Sequence, residues 1–195
     1  MKIAVLAVQG AFIEHEKVLQ DLGAECVELR KKEDLEQEFD GLVLPGGEST
    51  VQGKLVKELG MEEKLKRRIR NGIPVLATCA GMILLADEIL GEDRVHLGLL
   101  PAVVKRNAYG RQLGSFYTEA EMKEVGTVPM TFIRAPYIEK VKKDTEVLAE
   151  VDGNIVAVRN RNILALSFHP ELDDDKRVHK YFLDNVLKRL NCTEK

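Results

Sequence analysis

Short apolar runs alternate with stretches of helical periodicity through the first half of the chain. Ile3–Val8 is unbroken and apolar, as a strand buried on both faces must be. Phe12–Leu22 carries apolar positions at Phe12, Val18, Leu19 and Leu22, and Gly23 is placed to end that helix. Cys26–Leu29 and Gly41–Leu44 predict two more strands, the second stopping at Pro45-Gly46-Gly47. Helices are expected around Thr50–Leu59 and Glu62–Arg70, closed by Asn71-Gly72. A strand over Ile73–Thr78 and a helix over Ala80–Glu88 follow. Strands that do not alternate, each followed by a helix, predict an α/β fold with a mainly parallel central sheet flanked by helices.

After about residue 98 the rhythm changes. Ala102–Lys105, Thr131–Arg134, Glu146–Val151, Asn154–Arg159 and Ile163–Phe168 predict strands joined by short turns, with Asp152-Gly153 as a hairpin. Asp175–Leu190 predicts a long amphipathic helix. An antiparallel extension on a parallel core accounts for this half. No linker, repeat or biased segment interrupts the chain, so 1–195 is expected to be one domain.

Composition narrows the class. With 45% hydrophobic and 31% charged residues in 195, disorder, collagen and a coiled-coil rod are excluded. A net charge of −3 gives no reason to expect nucleic acid as a partner. Cys26, Cys79 and Cys192 are too few and too scattered for a disulfide framework. The apolar start is too short for a signal-peptide core and no run reaches a membrane span, which points to a cytoplasmic chain that meets no membrane.

The strongest chemical signal is Ala77-Thr78-Cys79-Ala80-Gly81, a cysteine between an apolar strand and an apolar helix with small neighbours. A nucleophile at such an elbow needs that crowding relieved, and the helix N-terminus favours its thiolate. The Ala80 N–H would face a developing oxyanion. A small buried core cysteine is the plain alternative. The second signal is Ser167-Phe168-His169-Pro170-Glu171, in which a strand delivers a histidine and Glu171, two residues on, can lie beside it. That is the base and orienter of a nucleophile–base–carboxylate triad, or else a surface ion pair. Both segments end a strand, where α/β sheets build their sites.

Leu44-Pro45-Gly46-Gly47-Glu48-Ser49-Thr50 is the third signal. Its glycines let backbone N–H groups approach a ligand, and Ser49 or Thr50 is placed to cap the next helix. A phosphate loop does not fit: five residues separate Gly47 from Gly53, and Leu55 stands where Ser or Thr is required. An oxyanion loop fits better than that, with a plain tight turn as the alternative. The run Lys64, Lys66, Arg67, Arg68 and Arg70 follows Glu62 and Glu63 and reads as a solvated helix face. His15, His96 and His179 lack metal-ligand spacing and read as structural or surface residues; no metal is expected. Arginines in Lys105–Gln112 and Phe132–Pro136 lie at strand ends, where they can bind a carboxylate or pair with a surface acid.

Taken together, Val8-Gln9-Gly10-Ala11, LPGGEST at 44–50, TCAGMILLA at 78–86, HLGLL at 96–100, RNAYGRQ at 106–112, FIRAP at 132–136 and SFHPEL at 167–172 resemble the class I glutamine amidotransferases. RNAYGRQ and FIRAP, in that order, resemble more closely the glutaminase subunits of two-protein pyridoxal phosphate synthases. Ala77, Val51 and Pro101 depart from the usual pattern without touching the triad. The resemblance implies hydrolysis of L-glutamine to glutamate and ammonia through a thioester on Cys79, with His169 as base and acid and Glu171 orienting it. Gly47 and Ala80 would form the oxyanion hole, and Gly47, Glu48, Ser49, Arg106, Ile133 and Arg134 would bind glutamine. No cofactor is implied. The ammonia would pass to a separate synthase subunit that assembles pyridoxal phosphate in a hetero-oligomer, with Gln9 on the loop that couples the two. A glutaminase for a histidine or purine pathway and a non-catalytic binding module are the other readings.

Overall fold

The computed structural model describes residues 1–107 and 114–193. The chain runs β1 (Lys2–Leu6), α1 (Phe12–Asp21), β2 (Glu25–Leu29), a 3-10 turn (Lys32–Glu36), β3 (Gly41–Leu44), α2 (Ser49–Glu58), α3 (Glu62–Arg70), β4 (Val75–Thr78) and α4 (Ala80–Leu85). It continues through β5 (Ala86–Ile89), β6 (Leu100–Lys105), β7 (Ser115–Met122), β8 (Gly126–Ile133), β9 (Tyr137–Val141), β10 (Glu146–Val151), β11 (Asn154–Asn160), β12 (Ile163–Leu166), a second 3-10 turn (Pro170–Leu172) and α5 (Arg177–Thr193).

One sheet in the order β2-β1-β3-β4-β12-β11-β9-β6-β5 carries the fold, with β10 paired to β11. The β2 to β12 half is parallel, as the unalternating apolar strands require, because helices cover both of its faces. Successive residues of β1 point into different cores. Ala4 and Leu6 pack with α2, α3 and α4 residues such as Val56, Leu65 and Met82, while Ile3 and Val5 pack with Phe182 and Val186 of α5. The second half is the antiparallel extension, and Asp152-Gly153 turns β10 into β11 with both residues at positive φ.

The structure differs from the sequence reading in several places. The helix expected over Ala80–Glu88 ends at Leu85, and Ala86–Ile89 is a strand paired in parallel with β6. Every residue of α4 is buried, so its apolar run has no polar face to mark where it stops. β7 and β9 were not expected, and the strand placed at Thr131–Arg134 is the end of a longer one. β7 and β8 form a separate two-stranded sheet, packed on the core where Phe132 meets Phe168 with ring centroids 5.9 Å apart. The cap of α2 is the Glu48 side chain, which accepts from the N–H groups of Thr50 and Val51, and Ser49 is already inside the helix. The basic run lies on α3, where Lys66 pairs with Glu62, Lys64 with Glu36, and Arg68 donates to the carbonyls of Leu35 and Gln37. Among the described residues no helix is long and apolar enough to cross a membrane.

Candidate active site

Three parallel neighbours, β3, β4 and β12, end side by side: Leu44 lies opposite Ala77, and Thr78 opposite Leu166. Their carboxyl ends deliver the Gly46-Gly47 loop, Cys79 and His169 to one place. Cys79 sits at φ 47°, ψ −102°, a conformation that costs a non-glycine residue of order 1–3 kcal/mol. Its N–H donates to the Leu166 carbonyl at 2.8 Å, and its own carbonyl accepts from Ile83 at 3.2 Å, which pins the elbow between β12 and α4. Gly81 is required here because a Cβ would collide with the Leu44 carbonyl.

His169 is fixed from its backbone, whose N–H donates to Thr131 at 2.8 Å. Its Nδ1 lies 2.7 Å from Glu171 Oε1, both side chains being buried. Burial opposes the charged imidazole, but hydrogen bonds with Cys79 and Glu171 override it and raise the His169 pKa to about 10. Burial likewise opposes ionisation of Glu171, yet His15 and the His169 hydrogen bond hold its carboxyl below the usual range. The arrangement favours an imidazolium held between Glu171 and Cys79.

These groups open on a cavity of about 400 Å³, lined by Gln9, Gly46 to Ser49, Cys79, Ile83, Arg106, Asn107, Ile133, Arg134, Pro136 and His169. Of the residues expected at the site, Gln9, Gly47, Glu48, Ser49, Cys79, Arg106, Ile133, Arg134 and His169 line it. Ala80 and Glu171 are buried behind it. Glu48 and Arg106 are paired at 3.2 Å, and Arg106 also reaches Glu92 at 3.0 Å. Partial burial works against it, but the Val51 and Thr50 N–H groups and the Arg106 charge keep Glu48 below its ordinary pKa. Arg134 holds a positive φ of 44° after β8, and Ile133 is 39% exposed beside it. The Gln9 side chain accepts from the Glu48 N–H at 2.8 Å, and Gln52 donates to the Gln9 and Pro45 carbonyls. The loop after β1 is therefore tied to the loop after β3. Among the described residues no cluster of three or more His, Cys, Asp or Glu could hold a metal ion.

Of the other expected candidates, Cys26 is half-buried in β2, and burial pushes its thiol pKa up to about 11. Arg111 and the Cys192 side chain lie outside the described residues. His15 and His179 were read as structural or surface. Both are fully buried, with His15 Nδ1 2.9 Å from His179 Nε2 and His15 Nε2 3.3 Å from Glu171 Oε2. Nothing local in an amphipathic helix marks such a contact.

That pair has a consequence for stability. Burial first, and the neighbouring His15 second, push the His179 pKa from 6.5 to about 3. The unfolded chain binds a proton that the folded chain refuses, so this stability is fully present above pH 6.5 and lost as pH falls toward 3. We expect the unfolding free energy from urea titration to fall by roughly 1 kcal/mol between about pH 7 and pH 5.5 from this group alone. His179→Leu should flatten that slope; an unchanged slope would refute the assignment.

A strained cysteine elbow, a neighbouring His–Glu pair and a glycine loop meet at one end of a parallel α/β sheet, an arrangement consistent with the glutamine amidotransferase class. The chain belongs to the SNO glutamine amidotransferase family, whose profile matches residues 5–188. It is 60% identical over 197 aligned residues to the pyridoxal 5'-phosphate synthase subunit PdxT of Desulfitobacterium hafniense (strain DSM 10664 / DCB-2), covering 100% of this chain and 99% of that one. The same subunit of Streptococcus pneumoniae (strain CGSP14) is 56% identical, over 94% of this chain and 96% of its own. A solved glutamine amidotransferase superposes with a TM-score of 0.90 at 46% identity, covering 94% of this chain and 98% of that one.

Proposed function

We propose that residues 1–195 act as one glutaminase domain, the subunit of a two-protein pyridoxal 5'-phosphate synthase that supplies ammonia, working in the cytoplasm. One observation carries the chemistry: Cys79 at its strained elbow and His169, backed by Glu171, end adjacent parallel strands and line the same cavity. The relatives named PdxT carry the assignment of pathway and partner.

His169, as the imidazolium, holds the proton that Cys79 has given up, and Cys79 Sγ attacks the glutamine carboxamide carbon. The oxyanion is received by N–H groups of Gly47 and Ala80. His169 returns its proton to the leaving nitrogen, the C–N bond breaks, and ammonia departs from a thioester. Water, deprotonated by His169, then cleaves the thioester to glutamate and free Cys79. Glu48 and Arg106 set opposite charges on one rim, which suits the zwitterionic head of an α-amino acid, and Ser49, Ile133 and Arg134 complete the glutamine pocket. Gln9, hydrogen-bonded to the Glu48 N–H, gives a docked synthase subunit a handle on the oxyanion loop.

The test is glutamate and ammonia release from glutamine by the chain alone and with the synthase subunit of a two-protein pyridoxal 5'-phosphate synthase. We expect release to rise on adding the partner and to support pyridoxal phosphate formation without free ammonia. A complex that releases none from glutamine sinks the reading.

A further inference from the structure

His15 and His179 take no part in the steps above, yet they occupy enclosed space against the triad carboxylate. Glu171 meets His169 through Oε1 and His15 through Oε2. The same His15 Nε2 lies 3.1 Å from Thr78 Oγ1, which accepts the Gly46 N–H at 3.0 Å. One imidazole therefore touches both the carboxylate and the hydroxyl that pins the glycine loop.

The protons in this chain can be placed. Glu171 Oε2 is buried and has no regular hydrogen bond among the described residues, so His15 Nε2 at 3.3 Å is the donor within reach. A carboxylate only accepts, and a bare nitrogen lone pair facing it would repel, so His15 carries its proton on Nε2. Its Nδ1 is then an acceptor, and His179 Nε2, 2.9 Å away, must be the N–H that fills it. His179 Nδ1 is left bare, and it is the nitrogen without a partner among the described residues. A buried acceptor left empty is more often tolerated than a buried N–H left empty.

Building on the glutaminase reading, we propose that His15 is a positioning residue for that reaction: its Nε2–H holds the second oxygen of Glu171, so that Oε1 is presented to His169. His179 fixes the His15 tautomer that makes this possible. Burial lowers the His15 pKa, so the donor is neutral and adds no charge to the imidazolium–carboxylate pair. The titratable groups facing it are Glu171 of the second 3-10 turn, His169 just before that turn, His179 from α5, and Glu14 on its own helix.

His15→Asn and His15→Gln in the full chain, assayed with the synthase subunit, separate orientation from packing. Glutamine's amide nitrogen reaches the position of ring Nε2, whereas asparagine's reaches only that of Nδ1. His15→Asn should lower kcat about tenfold to a hundredfold, the usual effect of losing a group that orients a site residue. KM for glutamine should stay within about twofold. The acid limb of the pH profile should move upward, because Glu171 loses a donor to its charged form. His15→Gln should restore most of kcat and return the limb. Equal losses in the two variants, or none in either, overturn the proposal while an active wild type leaves the glutaminase reading standing; an inactive wild-type complex overturns both. Nitrogen-15 spectra of histidine-labelled wild type give a reading independent of the variants. Nε2–H tautomers at His15 and His179 support the proposal, and an Nδ1–H tautomer at His15 overturns it.

Discussion

Replacing Cys79 with alanine should abolish glutamine hydrolysis, by at least about 10⁴-fold in kcat, and leave the chain folded. In the proposed mechanism Cys79 is the nucleophile, which its neighbours cannot replace, and what the proposed oxyanion loop and His169 would retain without it is small beside the whole effect. The elbow itself does not depend on the sulfur. It is held by the Cys79 N–H to Leu166 and by the Ile83 N–H to the Cys79 carbonyl, both main-chain bonds that alanine keeps. The strain at φ 47° remains with any Cβ, so Cys79→Gly should be more stable than Cys79→Ala by about 1 kcal/mol, although equally inactive. Urea unfolding beside a glutamate-release assay checks both statements. An alanine variant with more than about a hundredth of wild-type turnover would remove Cys79 from the chemistry.

The second large effect is on the fold. Gly81→Ala should cost about 3 kcal/mol or more, because the new methyl would run into the Leu44 carbonyl, main chain of β3 that has nowhere to go. The site would fail with it, since β3 and α4 flank the elbow. Gly72→Ala is the useful comparison. Nothing lies within 4 Å of its Cβ position, and only its φ of +87° resists substitution, so it should cost about 1 kcal/mol. Midpoints of urea denaturation for the two variants decide the matter; equal losses would mean that the elbow has room to spread.

How much of this was legible in the sequence depends on how local each signal is. Unalternating apolar strands β1, β3, β4 and β12 announced a parallel sheet, because burial on both faces leaves its mark residue by residue. Cys79 and His169-Pro170-Glu171 were legible for a similar reason, each being a short pattern tied to a strand end. β5 was not. Its residues follow a helix buried on every side, and the change from helix to strand at Ala86 is set by pairing with β6, fourteen residues further on in the register Ala86–Leu100. β7 carries a usable signal, inward Phe116, Thr118, Ala120 and Met122 alternating with outward residues, masked by the polar character of half the strand. The His15–Glu171 contact joins residues 156 positions apart, and no window of sequence holds it.

The adjacency of β4 and β12 also governs when the protein can first work. Cys79 leaves the ribosome with the first half of the chain, but the strand that lies beside it begins only at Ile163. Until β12 takes its place between β4 and β11, the Cys79 N–H lacks its Leu166 partner and His169 is not brought beside the elbow. Cys79 and His169 therefore come together only through a strand that the chain supplies long after the elbow's own strand ends at Thr78.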